Sequence, residues 1–86
     1  MEIEYTLRAH EDISHWKKSG NIKIQNKIFE LLASIQNNPT TGIGKPEALK
    51  HQLSGLWSRR INREHRLIYQ IKEEVIYIIS LRGHYN

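Results

Sequence analysis

Val75-Ile76-Tyr77-Ile78-Ile79, near the end of the chain, is the clearest indication of the fold because it is apolar at nearly every position. A short apolar run of this kind, rich in β-branched residues, is typical of a strand buried inside a sheet. We therefore predict a strand from Val75 to Leu81 that anchors the sheet and is covered on at least one face by a long helix.

Two further strands are predicted upstream of this one. Lys72-Glu73-Glu74 is a polar break short enough for a hairpin, so the run His65–Ile71 is expected to pair antiparallel with the terminal strand. The run Leu56–Ile61 also has strand character. Before it, residues 37–46 contain both prolines and two glycines, so this segment is expected to form the main loop.

Helical patterns occupy most of the first half of the chain. The longer helix is predicted from about Asn21 to Asn37, where apolar residues recur at a spacing of three and four. These residues are Ile24, Ile28, Leu31, Leu32 and Ile35. A shorter helix is predicted from about Ala9 to Lys18, and Ser19–Gly20 is its stop signal.

The first residues alternate apolar and polar side chains at Ile3, Tyr5 and Leu7, which predicts a first, half-buried strand. The resulting order is β-α-α-β-β-β. We expect an α+β fold with two helices packed on a mainly antiparallel four-stranded sheet. With 86 residues and no cysteine, the chain allows a single domain over residues 1–86 with one modest core.

The formal charge of +4 is unevenly placed along the chain. Residues 1–40 hold equal numbers of basic and acidic side chains, whereas residues 41–86 hold eight basic side chains against four acidic ones. A basic half that also contains His, Trp and Tyr favours a polyanionic partner, and a merely solvated basic face is the alternative. The first residues match neither a signal peptide nor a spanning segment, which predicts a cytoplasmic protein.

The acidic residues and histidines do not favour a metal-dependent nuclease. The second half has only four carboxylates, and two of them, Glu73 and Glu74, fall in the expected turn. The five histidines have no zinc-binding spacing, and Gly42–Lys45 does not form a phosphate-binding Gly-Lys-Ser/Thr motif. We therefore expect acid–base chemistry that uses no metal and no other cofactor.

RNA permits such chemistry because its 2′-hydroxyl attacks the adjacent phosphate when a base, a cation and an acid are supplied. Glu47, Arg66 and His84 are the candidates for base, cation and acid respectively. Glu47 has the alternative of an exposed loop carboxylate, and His84 that of a surface residue in the chain's tail. For Arg66 the alternative is an ion pair with Glu64 or Glu47.

Two aromatic residues are candidates for stacking on RNA bases. Tyr85 follows His84, and its alternative is hydrophobic docking of the tail. Trp57 lies in a predicted strand, where burial in the core is the alternative.

The runs Gly44–Ile61, Glu64–Tyr69 and His84–Tyr85 strongly resemble the YoeB/Txe toxins of the RelE-like superfamily. In residues 1–40 the resemblance is weaker, although the order of elements and the position of Trp16 agree. It implies a type II toxin that binds the ribosome and cuts messenger RNA in the A site, leaving a 2′,3′-cyclic phosphate or 3′-phosphate and a 5′-hydroxyl. It also implies a YefM-like antitoxin and a homodimer when the toxin is free.

The resemblance implies that Glu47 is the general base, Arg66 the stabiliser of the phosphate and transition state, and His84 the general acid. Other residues match positions that contact RNA or the ribosome: Lys50, His51, Arg59, Arg60, Arg63 and Tyr85. Arg63 replaces an acidic or polar residue of many relatives, which makes this surface more basic. A non-catalytic RNA- or ribosome-binding module of the same fold is the alternative function. A DNA-binding regulator is disfavoured because no helix-turn-helix spacing is found.

Overall fold

The computed structural model describes residues 1–84, so Tyr85 and Asn86 lie outside the described residues. The chain follows the predicted order of elements, with one short strand more than expected. The elements are β1 (Glu2–Tyr5), α1 (Leu7–Ser19), α2 (Ile22–Asn37), β2 (Glu47–Ala48), a 3₁₀ turn (His51–Leu53), β3 (Leu56–Arg60), β4 (Arg66–Lys72) and β5 (Val75–Ser80).

The strands form one sheet in the order β1-β5-β4-β3-β2. β5 is therefore an interior strand, as its apolar sequence predicted, and it pairs with β4 antiparallel and with β1 parallel. A parallel pair needs a long connection between its two strands. Here the two helices and three strands lie between β1 and β5 in the chain, so the chain can come back beside β1 in the same direction. The sheet is mixed but mainly antiparallel, as predicted.

The sheet has five strands, whereas the sequence predicted four. The additional strand, β2, pairs with β3 over only two residues, Glu47 opposite Ser58 and Ala48 opposite Trp57. Two residues are too few to show a period-two pattern, so the sequence predicted no strand at Glu47. Its place is instead fixed by pairing with the edge of the sheet.

The hydrophobic core lies between the two helices and one face of the sheet. α2 contributes Ile24, Ile28, Leu31 and Ile35, which confirms the predicted apolar face. The sheet contributes fully buried side chains from its two central strands, namely Leu67, Tyr69, Ile76 and Ile78. Within residues 1–84, no helix is both long and apolar enough to cross a membrane.

α1 begins at Leu7, two residues earlier than predicted, because Thr6 caps it. The Thr6 hydroxyl accepts a hydrogen bond from the Ala9 amide at 3.1 Å and donates one to the Ile79 carbonyl at 2.9 Å. Leu7 is consequently an exposed helical residue and not the end of the first strand. The helix ends at Gly20, whose left-handed φ of 74° matches the predicted stop signal.

The loop between α2 and β2 is held by a buried arginine, Arg59 on β3. Its five N–H donors all make hydrogen bonds to nearby oxygens. Nε donates to the Tyr69 hydroxyl (3.1 Å), Nη1 to Ser34 Oγ (2.7 Å) and the Ile43 carbonyl (3.0 Å), and Nη2 to the Asn38 (2.8 Å) and Thr41 (2.9 Å) carbonyls. The loop that leads into β2 is therefore tied to the core.

Candidate active site

A cleft of about 950 Å³ lies on the face of the sheet opposite the helices. Its walls include all three predicted catalytic residues, Glu47, Arg66 and His84, together with Ser58. The segment around the 3₁₀ turn completes the lining with Ala48, Leu49, Lys50, His51, Gln52 and Leu53. The fold thus brings together three reactive side chains that are far apart in the sequence.

The register of the strands places Glu47 and Arg66 on the same face. Glu47 lies opposite Ser58, which in turn lies opposite Ile68 on β4. Paired residues share a face, as do alternate residues of one strand, so Arg66 faces the same side as Ile68 and Glu47. Leu67, which lies between Arg66 and Ile68 on β4, faces the core and is fully buried.

Glu47 is exposed, and a tight backbone segment positions it. The two residues before Pro46 have left-handed backbones, with φ of 82° at Gly44 and 53° at Lys45. A Cβ on Gly44 would lie 2.6 Å from Leu31 Cδ2, so only glycine allows the chain to pass this close to α2. The Arg60 amide then donates to the Gly44 carbonyl at 2.6 Å, which fixes the entry into β2.

Arg66 is half-buried at the first position of β4. Its Nη1 donates to the carbonyls of Asn62 (2.8 Å) and His65 (3.2 Å). The Asn62 side chain in turn accepts from the amides of Glu64 and His65, both at 2.8 Å, and so shapes the turn between β3 and β4. The turn holds one edge of the guanidinium, while the side chain lines the cleft.

Ion pairs do not neutralise the basic side chains of the cleft. The part of the chain that the structure describes contains one ion pair, Arg8 with Asp12, and neither residue lines this cleft. The sequence-based alternative of an Arg66 ion pair with Glu64 or Glu47 is therefore not observed. Arg66 keeps its charge available for an anion.

His84 is exposed and lines the cleft, and the residue before it, Gly83, is anchored by two hydrogen bonds. The Arg66 amide donates to the Gly83 carbonyl at 3.1 Å, and the Gly83 amide donates to His65 Nδ1 at 2.9 Å. Arg66 and His84 therefore meet through the backbone of the chain's tail. His84 itself is exposed, and the hydrogen bonds hold the backbone that leads to it, so its role as general acid stays a prediction.

Three of the other predicted RNA contacts are on or beside the cleft. Lys50 and His51 line it directly. Arg60 is exposed and lies opposite Arg66 in the pairing of β3 with β4, so it shares that face. Among the described residues of the lining, Glu47 is the one carboxylate, and it shares the cleft with Lys50 and Arg66.

Arg59 corrects the sequence-based expectation. It was expected on the RNA path, but its side chain is fully buried on the core face and its five donors are used by the loop and Tyr69. The reason is strand alternation, which sends Arg59 and Arg60 to opposite faces. Arg59 is a structural residue here.

The remaining predicted contacts have different placements. Arg63 is exposed in the turn between β3 and β4 and is not part of the cleft lining. Trp57 is half-buried and packs against the core, in agreement with its structural alternative. Tyr85 lies outside the described residues, so its predicted role stays a prediction.

Sequence reasoning missed Ser58, Asp12 and His65. Ser58 is buried and lines the cleft. Because Ser58 and Arg60 are alternate residues of β3, the sequence could have predicted that they lie on the same face of the sheet. Asp12 and His65 bond to backbone amides of the tail, at Leu81 and Gly83 respectively. Because these partners are backbone groups far away in the sequence, no sequence motif could predict the two contacts.

The cleft combines a carboxylate, a guanidinium and imidazoles around a space open to solvent, which is a set suited to proton transfer beside an anion. In residues 1–84 no three His, Asp or Glu side chains are grouped so that they would hold a metal ion. The fold and the cleft together place the chain among small basic α+β proteins that group titratable side chains on an open face of the sheet.

Comparison with known proteins identifies the family within that class. Residues 5–85 match the family model described as "YoeB-like toxin of bacterial type II toxin-antitoxin system". Toxin YoeB of Streptomyces coelicolor is 44% identical over 85 residues, covering 99% of this chain and 100% of that protein. A YoeB dimer from Staphylococcus aureus has a similar structure, with a TM-score of 0.87 and 44% identity over 99% of this chain and 98% of that one.

A second solved structure is a heterotetrameric YoeB–YefM toxin–antitoxin complex, also from Staphylococcus aureus. It matches with a TM-score of 0.86 and 44% identity, covering 99% of this chain and 98% of that chain. The chain belongs to the YoeB-like family and is a toxin of a bacterial type II toxin–antitoxin system. The resemblance seen in the sequence is confirmed, as is the RelE-like α+β fold.

Proposed function

We propose that this toxin is a ribosome-dependent endoribonuclease that cuts messenger RNA in the A site without a metal. The observation that carries the proposal is the convergence of Glu47, Arg66 and His84 on one cleft. The three side chains supply the base, the cation and the acid that cleavage by the 2′-hydroxyl of RNA requires.

In the proposed reaction the 2′-oxygen bonds to phosphorus while the bond from phosphorus to the 5′-oxygen breaks. The Glu47 carboxylate accepts the proton of the 2′-hydroxyl, and the His84 imidazolium donates a proton to the departing 5′-oxygen. Arg66 binds the phosphate oxygens, on which negative charge grows in the transition state. The products are a 2′,3′-cyclic phosphate and a 5′-hydroxyl, and hydrolysis of the cyclic ester gives a 3′-phosphate.

The surroundings of the cleft support a nucleic acid as substrate. Lys50 and Arg60 extend the positive surface beyond Arg66, His51 adds a hydrogen-bonding side chain, and a chain of phosphates binds such a surface whatever its base sequence. In the proposal Arg63 contacts the RNA or ribosome farther from the reacting phosphate, and Tyr85 stacks on a base. Because messenger RNA on ribosomes is the substrate, the toxin acts in the cytoplasm.

The proposal includes two protein partners. The solved relatives include a YoeB dimer and a YoeB–YefM complex, and the two are equally similar to this chain, at 44% identity. A YefM-like antitoxin is therefore the expected inhibitor, and a homodimer is the expected state of the free toxin. Size-exclusion chromatography with light scattering, with and without the antitoxin, measures both.

The test of the proposed reaction uses purified toxin and ribosomes loaded with a defined message, followed by mapping of the RNA 5′ ends. The parent is expected to cut within the A-site codon. Glu47→Gln and His84→Ala are expected to lose about 10²–10⁴-fold in cleavage rate, the usual contribution of a general base or acid. Both variants should still sediment with ribosomes.

Matched controls are Glu30→Gln on α2 and His10→Ala on α1, which remove the same groups at exposed positions outside the cleft. Both are expected to cut like the parent. Parent toxin that binds ribosomes and leaves the message intact would refute the enzyme and support the alternative of a non-cutting RNA-binding module. Full activity in the Glu47 and His84 variants would refute the assigned roles.

A further inference from the structure

The backbone leaving β5 is tied to α1 by two side chains that take no part in the cleft. The Leu81 amide donates to Asp12 Oδ2 at 2.8 Å, and the Leu81 carbonyl accepts from Trp16 Nε1 at 2.8 Å. The same residue is thus bonded on both its N–H and its C=O side. Such a pair of contacts leaves Leu81 little freedom to rotate or slide.

Asp12 is buried, with 3% of its surface exposed. Burial of a carboxylate is costly unless hydrogen bonds and a countercharge compensate for the lost water. Here the countercharge is Arg8, whose Nε lies 3.1 Å from both Asp12 oxygens. Arg8 also donates to the Arg82 carbonyl at 3.2 Å, so this ion pair contacts the tail at two successive residues.

The next residue, Gly83, is held by β4 and the turn before it. Its carbonyl accepts from the Arg66 amide, and its amide donates to His65 Nδ1. An imidazole nitrogen accepts only when it carries no proton, so this contact requires the neutral form of His65 with its proton on Nε2. The His65 ring also packs edge-on against Trp16, with ring centroids 4.8 Å apart.

Trp16 therefore links the two anchoring points, because its indole nitrogen binds Leu81 and its ring supports His65. From Leu81 to Gly83, every residue has a backbone group bonded to the rest of the fold. His84 is the next residue. Its backbone position is consequently set by side chains that never reach the cleft.

We propose that Asp12, Trp16 and His65 form a tail clamp, a set of positioning residues that holds His84 where it can protonate the departing 5′-oxygen. This inference rests on the proposed endoribonuclease function. Its physical basis is that a general acid must be held within a fraction of an ångström, since a displacement of about 1 Å can cost about 10²-fold in rate. An unanchored chain end would lose that position to backbone motion.

The clamp is tested by two substitutions at His65 that differ in where they place an acceptor. His65→Asn keeps an oxygen close to the position of Nδ1, whereas His65→Gln carries its acceptor one bond farther out. Single-turnover cleavage at saturating ribosomes is expected to fall about tenfold or more in the Gln variant. The Asn variant should restore the rate to within about threefold of the parent, and ribosome affinity should be unchanged in both.

A double-mutant cycle separates positioning of His84 from a general structural effect. If His65 acts through His84, then adding His65→Gln to His84→Ala should not lower the residual rate any further. Additive losses in the double variant would overturn the clamp. So would equal rates in the Asn and Gln variants.

A second measurement tests the hydrogen bond between Gly83 and His65 independently of cleavage activity. Hydrogen exchange of the Gly83 amide should be faster in His65→Gln than in the parent, and close to the parent in His65→Asn, at the same global stability. Unchanged exchange would overturn the anchoring contact. A parent toxin that does not cut would refute the proposed function, whereas an active parent with an unaffected Gln variant refutes only the clamp.

Discussion

The amide nitrogen of Arg66 lies 3.1 Å from the carbonyl oxygen of Gly83, the residue directly before His84. This one backbone hydrogen bond places the start of β4 beside the end of the described chain. Together with the contacts that Asp12, Trp16 and His65 make to the tail, it brings Arg66 and His84 to the same cleft. The positions of the proposed phosphate-binding and proton-donating groups are therefore coupled.

Replacement of Arg66 should reduce cleavage more than it reduces binding. Arg66→Ala removes the charge that opposes the growing negative charge on phosphate, so we expect a loss of about 10²–10³-fold in rate. Arg66→Lys keeps the charge but not the planar fork and should be intermediate. Single-turnover kinetics on loaded ribosomes measure both. Lys23→Ala, an exposed cation on α2 outside the cleft, is the control, and a loss there as large as at Arg66 would contradict the role of Arg66.

Replacement of Arg59 should reduce stability. Arg59→Met removes five hydrogen bonds, one of them buried and four part-buried, and each hydrogen bond contributes about 0.5–1.5 kcal/mol net. We expect the free energy of unfolding to fall by at least about 3 kcal/mol in urea titrations. Arg60→Met, at the exposed neighbour, should stay within about 0.5 kcal/mol of the parent. Similar losses of unfolding free energy in both variants would contradict the structural role of Arg59.

The buried Tyr69 should make the protein less stable at alkaline pH. Burial raises the pKa of the Tyr69 hydroxyl above its ordinary value of 10.0, and its hydrogen bond with Arg59 and the Arg59 charge oppose that rise. A raised pKa means that the folded state holds this proton more tightly than the unfolded state. The resulting stability is complete below pH 10.0 and is lost as pH rises through the folded-state pKa.

Chemical denaturation at a series of pH values measures this effect. Tyr69→Phe is expected to be less stable near neutral pH by about 1–3 kcal/mol, because the donor to the Pro39 carbonyl and the acceptor for Arg59 are lost. The decline above pH 10 should be shallower in this variant than in the parent. Tyr77→Phe, on the opposite face of the sheet, should keep the parent's decline. An identical alkaline slope in the parent and Tyr69→Phe would refute the assignment.

One residue in the turn between β4 and β5 has a strained backbone conformation that a glycine would relieve. Glu73 has a left-handed φ of 58°, which costs a residue with a side chain about 1–2 kcal/mol relative to glycine. Allowing for the greater freedom of glycine in the unfolded chain, Glu73→Gly should stabilise the fold by about 0.5–1 kcal/mol. Glu74→Gly, at the neighbouring position without a positive φ, should give no gain. A gain at Glu74 alone would contradict the geometry of this turn.

Binding to ribosomes should weaken steeply as salt rises, because phosphate contacts release counterions. Lys50→Ala and Arg60→Ala should each reduce the slope of log affinity against log salt by about 1 if each side chain neutralises one phosphate. Lys18→Ala, at the end of α1, is the control and should leave the slope unchanged. A parent affinity that does not depend on salt would contradict a phosphate-binding surface.

Local patterns in the sequence were enough to predict the order of the two helices and the four longer strands, and the apolar residues of the core. The apolar run of β5 and the spacing of Ile24, Ile28 and Ile35 on α2 are local patterns, and burial of their apolar faces leaves few arrangements. The sequence also supplied Glu47, Arg66 and His84 as candidates for base, cation and acid. The family followed from motifs around the same residues.

The face on which each side chain lies, and the contacts that hold the tail, depend on the tertiary structure. Arg59 and Arg60 are adjacent and chemically identical, yet one supports a buried loop and the other is exposed, because the register of β3 against β4 and β2 is set by pairing between distant segments. The two-residue β2 likewise exists only through its partner strand. His84 reaches the cleft because Asp12, Trp16 and His65 bond to backbone groups, and a backbone group carries no side-chain identity that a sequence pattern can reveal.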